Sequence, residues 1–404
     1  MGGAAIAANR LHNALLKNGV DSKMLVCEKT SDDTTVIGPS SKLSKYSPKF
    51  RNLISHSILK LQKTTNPVQH SLNYFPTGIH KLINSMDIDI VNLHWVNAEM
   101  ISIKEIAKIN KPTVWTLHDS WAFCGAEHHP ALDNDTRYVE GYIINNRNAS
   151  DSGIDINRWV WNKKNRSWKV ATMSIVCPST WLYKNCLGSS LFKNNNIYNI
   201  PNCISTDDFS PIDKATAREL IGLPPNKKYI LFGAVKSTSH PLKGYDLLLK
   251  ALEKLENLSK VELLVFGSLD SDSELQKNIK IRALGHLYDH LSLKLLYNVS
   301  DVFVSPSMQE NLSNVIMESL VCGTPVVAFD IGGNKDMIKH KVNGYLVDPF
   351  YTDDLANGIA WVLDNSEEKQ LAVSARKMAK EKFSEEKVVK QYISFYQSIL
   401  RREK

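Results

Sequence analysis

The 404-residue sequence has no uninterrupted apolar run approaching the roughly 18 residues that a bilayer-spanning helix needs. It has no Walker A pattern and no G-x-G-x-x-G pattern, which disfavours ATPase and dehydrogenase chemistry. Its six cysteines, at 27, 124, 177, 186, 203 and 322, include no Cys-x-x-Cys pair. Zinc-ribbon and thioredoxin-type readings therefore fail, and buried free thiols in a reducing compartment are expected. The start, Met1-Gly2-Gly3-Ala4-Ala5-Ile6, lacks a basic head before an apolar run, so no secretory signal is expected. Serine or threonine is missing at the sixth position, which argues against myristoylation of Gly2. The expected location is cytoplasmic.

What is present is ordinary for a globular protein: 43% hydrophobic and 23% charged residues. At roughly 100–200 residues per domain, the length suggests two or three domains. The net charge of +7 is unevenly placed. Residues 1–205 carry 23 Lys/Arg against 15 Asp/Glu, whereas residues 206–404 carry 26 against 27. The excess peaks over residues 34–86, with seven basic residues (Lys42, Lys45, Lys49, Arg51, Lys60, Lys63 and Lys81) and no acid. Such a run is either a solvated face or an attraction to an anionic partner. No nucleic-acid-binding module accompanies it, so an anionic membrane surface is the expected partner and nucleic acid is not.

Along the chain, short β-branched or apolar runs at 23–27, 88–95, 113–117 and 170–177 alternate with helical stretches such as 4–16 and 101–109. This is the βαβ rhythm of a parallel sheet covered by helices. Residues 131–169, rich in Asn, Asp, Trp and Arg, break it and read as an insertion or mobile loop. A linker around 200–211 follows, and the rhythm resumes with strands expected at 229–232, 261–266, 281–284, 302–304, 325–329 and 344–347. Helices are expected at 244–255 and 314–320. The tail carries an apolar stripe (Val388, Val389, Tyr392, Ile393, Tyr396, Ile399, Leu400), with Ser384 as its N-cap. The expected fold class is α/β: a Rossmann-like domain over 1–205, a second over 206–383, and a terminal helix over 384–404. Gly2-Gly3 opens a helix with no residues before it to form a strand, so the first domain is expected to lack its first strand.

The block from Val304 to Leu320 is the most informative. A strand ends at Pro306, a loop carries Glu310, and a helix begins near Ser313 or Asn314. Free backbone N–H groups at a helix start favour an anion. Glu318, eight residues after Glu310, lies one to two turns into the helix. Two carboxylates around an anion-ready helix start suit a ligand with hydroxyls at both ends and phosphates between them. Two surface glutamates are the plain alternative.

This block resembles the E-x7-E signature of the retaining glycosyltransferases of family four, which have the GT-B fold of two facing Rossmann-like domains. Cys322-Gly323-Thr324-Pro325-Val326-Val327-Ala328, Asp330-Ile331-Gly332-Gly333-Asn334 and Asn343-Gly344-Tyr345-Leu346-Val347 match that family's continuation. Gly2-Gly3-Ala4-Ala5, Asn92-Leu93-His94-Trp95 and Thr116-Leu117-His118-Asp119-Ser120-Trp121 look like the branch found in bacterial exopolysaccharide and colanic-acid-type clusters. The likeness covers almost the whole chain.

Carried over residue by residue, the resemblance implies that Glu318 holds the ribose and that Glu310 meets the donor sugar beside Asn311, Leu312 and Ser313. Lys243 matches the lysine that neutralises the donor diphosphate. Many relatives have a Gly-Arg pair where this chain has Gly233-Ala234-Val235-Lys236, so Lys236 stands in with a point charge instead of a planar fork. His118, at a strand's carboxyl edge, would orient the donor sugar. Gly2, Gly3, His94, Trp95 and Asp119 fall on the acceptor or phosphate side. His128-His129 invite a metal reading, but adjacent positions suit one ion poorly and the family needs none; no metal or other cofactor is expected. The Asp-x-Asp triplets at 87–89, 133–135 and 270–272 read as coincidence.

The implied activity moves a sugar, with retention, from a nucleotide diphosphate donor (a UDP- or GDP-sugar) to a hydroxyl of a growing surface polysaccharide. The implied acceptor is a glycan or polyprenyl-linked oligosaccharide, met by a peripheral enzyme at the inner face of the membrane. The terminal helix would pack on the first domain. Two alternatives stay open: a sugar-nucleotide epimerase of the same architecture, and a non-catalytic truncated remnant.

Overall fold

Apolar residues recur every three or four positions in the first helix, and they set how it packs. Helix α1 (Gly3–Lys17) turns Ala7, Leu11, Ala14 and Leu15 inward. The computed structural model describes every residue except 1, 132–134, 170, 235–240, 257, 268–278, 288, 366–368 and 403–404. The chain divides into two units, Ala4–Ile200 with Lys390–Lys404, and Pro201–Val389 with Met1–Gly3.

In the first unit, helix α2 (Lys42–Leu59) follows α1. Strands β1 (Val91–His94) and β2 (Thr113–Thr116), helix α3 (Ile156–Trp168), and strands β3 (Met173–Cys177) and β4 (Asn196–Asn199) come next. The four strands form one parallel sheet in the order β1-β2-β3-β4. All four residues of β2 are buried, as expected for a strand covered on both faces. Trp115, Trp121, Trp168 and Phe192 pack together in its core.

Two expectations are corrected here. The run at 23–27 contributes only Met24–Leu25, which pairs with Val36–Ile37 outside the four-stranded sheet. Residues 131–169 are not one irregular loop. They hold α3, whose Ile156, Val160, Lys164 and Trp168 are buried at four-residue intervals, with Asp155 accepting from Arg158 N as N-cap. A lysine inside that stripe hides the helical period from a hydrophobicity reading.

In the second unit, β5 (Lys228–Ala234), α4 (Tyr245–Leu252), β6 (Val261–Gly267), β7 (Lys280–Ala283), β8 (Val302–Ser305), α5 (Asn314–Val321), β9 (Val326–Phe329) and β10 (Gly344–Val347) alternate along the chain. The sheet is wholly parallel, in the order β7-β6-β5-β8-β9-β10. All but the edge strand β7 are near-continuous apolar runs, with helices on both faces, a doubly wound layer. Buried Asp301 ties its foundation, accepting from Arg218 Nη2 at 2.8 Å, Lys214 Nζ at 2.8 Å and Tyr229 N at 2.7 Å.

Helices α6 (Thr352–Asn365), α7 (Lys369–Phe383) and α8 (Glu385–Arg402) end the chain. Val388 and Val389 of α8 cluster with the second unit and residues from Lys390 onward with the first. There Asn92 Nδ2 donates to Tyr396 Oη at 2.8 Å, and Phe395 meets Tyr198 at a ring separation of 4.4 Å. Among the described residues no helix is long and apolar enough to cross a membrane.

Candidate functional site

The second sheet reverses its winding between β5 and β8, because the chain leaves β5 towards β6 on one side and β8 towards β9 on the other. Ligands of open α/β sheets bind in the crevice beyond the carboxyl ends of strands at such a reversal. Pro241–Lys243 forms a short 3-10 turn on the β5 side, and the loop from Pro306 to Ser313 runs from β8 into α5.

Two features lock these segments together, and a third packs the loop after β9 against Glu310. Met308 N donates to Leu242 O at 2.8 Å. Gly244, at φ +70°, lies so close that an added Cβ would sit 2.0 Å from Pro306 O. Gly332, at φ +50°, would place a Cβ 1.8 Å from Glu310 O. Only glycine meets both demands, the left-handed backbone and the near contact.

That lock brings Lys243 Nζ to 2.7 Å from Glu310 Oε1, with the lysine side chain 29% and the glutamate 14% exposed. A half-open ion pair of this kind can exchange its partners for the phosphates and hydroxyls of a ligand. Asn311, Leu312 and Ser313 are buried and lead into α5, whose N-cap Ser313 is extended and makes no side-chain cap bond. Gln309 Oε1 is buried without a hydrogen-bond partner among the described residues. Glu318 is 3% exposed and its Oε2 accepts from Tyr297 Oη at 2.8 Å. Tyr297 was not singled out in the sequence, since nothing local links it to Glu318. Lys236 lies outside the described residues.

In the first unit, the carboxyl ends of β1 and β2 bring His94, Trp95, His118 and Asp119 together. His94 Nδ1 and His118 Nε2 are 3.0 Å apart, a distance at which one ring donates and the other accepts. Burial holds His118 down at about 4 despite the opposing pull of Asp119, and burial with the neighbouring His118 holds His94 well below the usual range. Both imidazoles are therefore neutral near pH 7.

Asp119 is the hub of a second array. Its Oδ2 accepts from Trp95 Nε1 at 3.0 Å and lies 2.6 Å from His128 Nδ1, while Oδ1 accepts from Trp121 N at 3.0 Å. Burial alone would raise this carboxyl, but His128 and the Trp121 N–H hold it at about 2. His128 Nε2 meets Ser71 Oγ at 2.8 Å. Trp95 takes a left-handed backbone at φ +41°, a conformation that costs energy for an aromatic residue and that the Asp119 bond helps to hold.

His128 and Ser71 are thus positioning residues; the sequence singles out His128 only beside His129, as a metal reading, and Ser71 not at all, since the two are 57 positions apart and no spacing rule joins them. His129 turns elsewhere, towards Trp181. Among the described residues no group of three or more His, Cys, Asp or Glu is arranged to hold a metal ion. Behind the array, buried Lys164 donates to the carbonyls of Trp121, Cys124 and Gly125 and so fixes the loop that follows Asp119. Gly2 is exposed and Gly3 opens α1; both cluster with the second unit and not with residues 4–200.

Residues 213–382 match the family model described as Glycosyl transferases group 1. The second unit carries a group 1 glycosyl transferase domain. An uncharacterized glycosyltransferase of Methanocaldococcus jannaschii is 32% identical over 192 residues, covering 46% of this chain and 48% of that protein. A D-inositol 3-phosphate glycosyltransferase of Catenulispora acidiphila is 32% identical over 179 residues, 40% of this chain and 41% of that protein. The chain thus spans about half or less of the length of these curated relatives.

Solved structures match over nearly the full length. Sucrose-phosphate synthase from Thermosynechococcus elongatus has a TM-score of 0.65 at 17% identity, covering 99% of this chain and 94% of that one. Anabaena Alr3699/HepE in complex with UDP and glucose has a TM-score of 0.61 at 17% identity, covering 98% and 96%. At such identities the likeness speaks for the fold, which is GT-B.

Proposed function

We propose that the chain is a retaining hexosyltransferase of the group 1 type, which moves a sugar from a nucleotide diphosphate donor, a UDP- or GDP-sugar, to a hydroxyl of a growing glycan. The observation that carries this reading is the Lys243–Glu310 pair at the winding reversal of a group 1 domain, directly before the start of α5. When the bond from the sugar's anomeric carbon to the diphosphate oxygen breaks, charge builds on the departing diphosphate. A fixed ammonium stabilises that charge most where it develops. Lys243 takes this role as Glu310 turns to the sugar hydroxyls, Asn311–Ser313 line the approach, Lys236 gives a second phosphate contact, and Glu318 serves the ribose. No metal is needed for this arrangement. That Alr3699/HepE was solved with UDP and glucose is in keeping with such a donor.

His118, neutral at working pH, accepts or donates one hydrogen bond to the transferring sugar without adding charge. Trp95 and Asp119, with His94, form the acceptor side. The acceptor of this proposal is a glycan or polyprenyl-linked oligosaccharide of a surface polysaccharide, met at the inner face of the cell membrane. Gly2 and Gly3 complete the phosphate side. The test is titration of the purified chain with UDP-, GDP- and ADP-sugars, with Lys243→Ala and Glu318→Ala beside it. Saturable binding of one donor, weakened at least about tenfold in both variants, is expected. Unchanged binding in both sinks the assignment.

A further inference from the structure

The outward side of α2 is an exposed apolar stripe. Tyr46 is 58% exposed, Phe50 64% and Leu53 66%. Their spacing of four and then three residues puts them on one line of the helix surface. The helix cannot roll to hide them, because its other side is held. Ser55 Oγ donates to the buried Glu99 at 2.7 Å, and Ile58 and Leu59 pack against the first unit's core. Leu61, 53% exposed, extends the stripe beyond the helix end.

The surroundings of the stripe are cationic. Lys45 and Lys49 are exposed on the helix and Lys60 and Lys63 just beyond it, while Glu28, 3.7 Å from Lys49, and Asp151, which accepts from Thr65 N at 3.3 Å beside the Lys63 end, are acids on neighbouring segments. Exposed tyrosine, phenylalanine and leucine flanked by lysines fit an interface whose depth is hydrocarbon and whose rim is negative. Long lysine stems can lie along the apolar zone while their ammonium groups reach the headgroups. A protein partner would ask for acids opposite these lysines, and a second copy of this chain would bring the same lysines against them.

We infer that this face of α2 docks on an anionic lipid surface, with Tyr46, Phe50 and Leu53 entering the headgroup region and Lys45, Lys49, Lys60 and Lys63 meeting the phosphates. The inference deepens the membrane side of the functional reading above, and it rests on that reading only for its biological purpose.

The test is co-sedimentation of the full chain with vesicles of phosphatidylcholine alone and of phosphatidylcholine with phosphatidylglycerol. Pelleting with the anionic vesicles only, weakened by salt, is expected. Replacing Tyr46, Phe50 and Leu53 together by serine should lower the partition at least about tenfold, and so should Lys45→Glu with Lys49→Glu. All five side chains are exposed, and an unchanged thermal melt checks the fold of each variant. Pelleting with neither vesicle, or equal pelleting of the parent and both variants, overturns the inference. So does a dimer, seen by light scattering, that the serine variant dissociates without a change in pelleting. Donor titration on the same samples separates the two readings: intact donor binding without vesicle binding sinks this inference alone, and the reverse sinks the donor assignment alone.

Discussion

The two units solve the same topological problem, a cluster of polar groups at the carboxyl ends of parallel strands, by opposite electrostatic means. The second unit presents a charged and accessible pair, Lys243 with Glu310, held by two close-packed glycines. The first presents two neutral imidazoles beside a carboxylate that is saturated with donors. A charged pair with partial exposure can trade its partner for a ligand at modest cost. A buried hydrogen-bonded array keeps its geometry because breaking any one member leaves another unpaired in a low-dielectric setting. The comparison teaches that binding of a charged group and orientation of a neutral one need different degrees of burial.

The contrast is broken most severely at Lys243. If its ammonium meets the departing charge, Lys243→Ala should lower kcat/KM by about 10²–10³-fold, read in a transfer assay with the donor found by titration. The same change should leave the thermal melt nearly unmoved, since the pair it breaks is partly exposed.

A backbone lesion comes next. Gly332→Ala forces a Cβ against Glu310 O in a left-handed conformation, so a loss of about 2–4 kcal/mol is expected in urea unfolding, together with donor affinity. In the first unit His128→Ala removes one donor to Asp119 and one contact of Ser71. It should cost about 1–3 kcal/mol while nucleotide binding stays intact. If His128→Ala also abolished donor binding, the division of labour between the units would be wrong.

Acid should separate the arrays further. The folded pKa of His118 lies at about 4, below its ordinary 6.5, so between these values the unfolded chain binds a proton that the folded chain does not. Stability contributed by its neutral form is complete above pH 6.5 and is lost as pH falls towards 4, by up to about 1.4 kcal/mol per pH unit. Asp119, depressed to about 2 from 3.8, adds a second loss only below 3.8. Chemical denaturation between pH 7 and 4 should show this slope added to that of His94, which burial also depresses, and His118→Gln should make it shallower without abolishing it. A slope that persists unchanged in that variant would place the titration elsewhere. The smallest effect is expected for Trp95→Phe, which keeps a ring and loses the indole N–H bond to Asp119, about 0.5–1.5 kcal/mol in a thermal melt.

Much of the second unit was legible in advance. Its central strands read as apolar runs, and the observed bounds of β8, β9 and β10 lie within a residue of the expected ones. Buried parallel strands have no polar face to confuse the pattern. The first unit was harder. Helix α3 escaped because Lys164 occupies a core position, where three carbonyls and the Trp121 ring replace its water. The strand read at 23–27 shrank because its partner is a two-residue segment instead of the main sheet. Ser71, and the part His128 plays with it, were invisible because their meeting depends on two loops that the fold, and no local spacing, brings together.

Local chemistry in the chain determined which segments become strands and helices and which loops carry Lys243, Glu310, His94 and His118, because period, glycine and capping residues act over a few positions. Only the tertiary structure decided which of these groups are charged and reachable. Burial, the order of strands in a sheet and hydrogen bonds between distant loops are properties of packing. A histidine becomes neutral, a carboxylate saturated and a lysine stripe outward-facing only once the rest of the unit has closed around it.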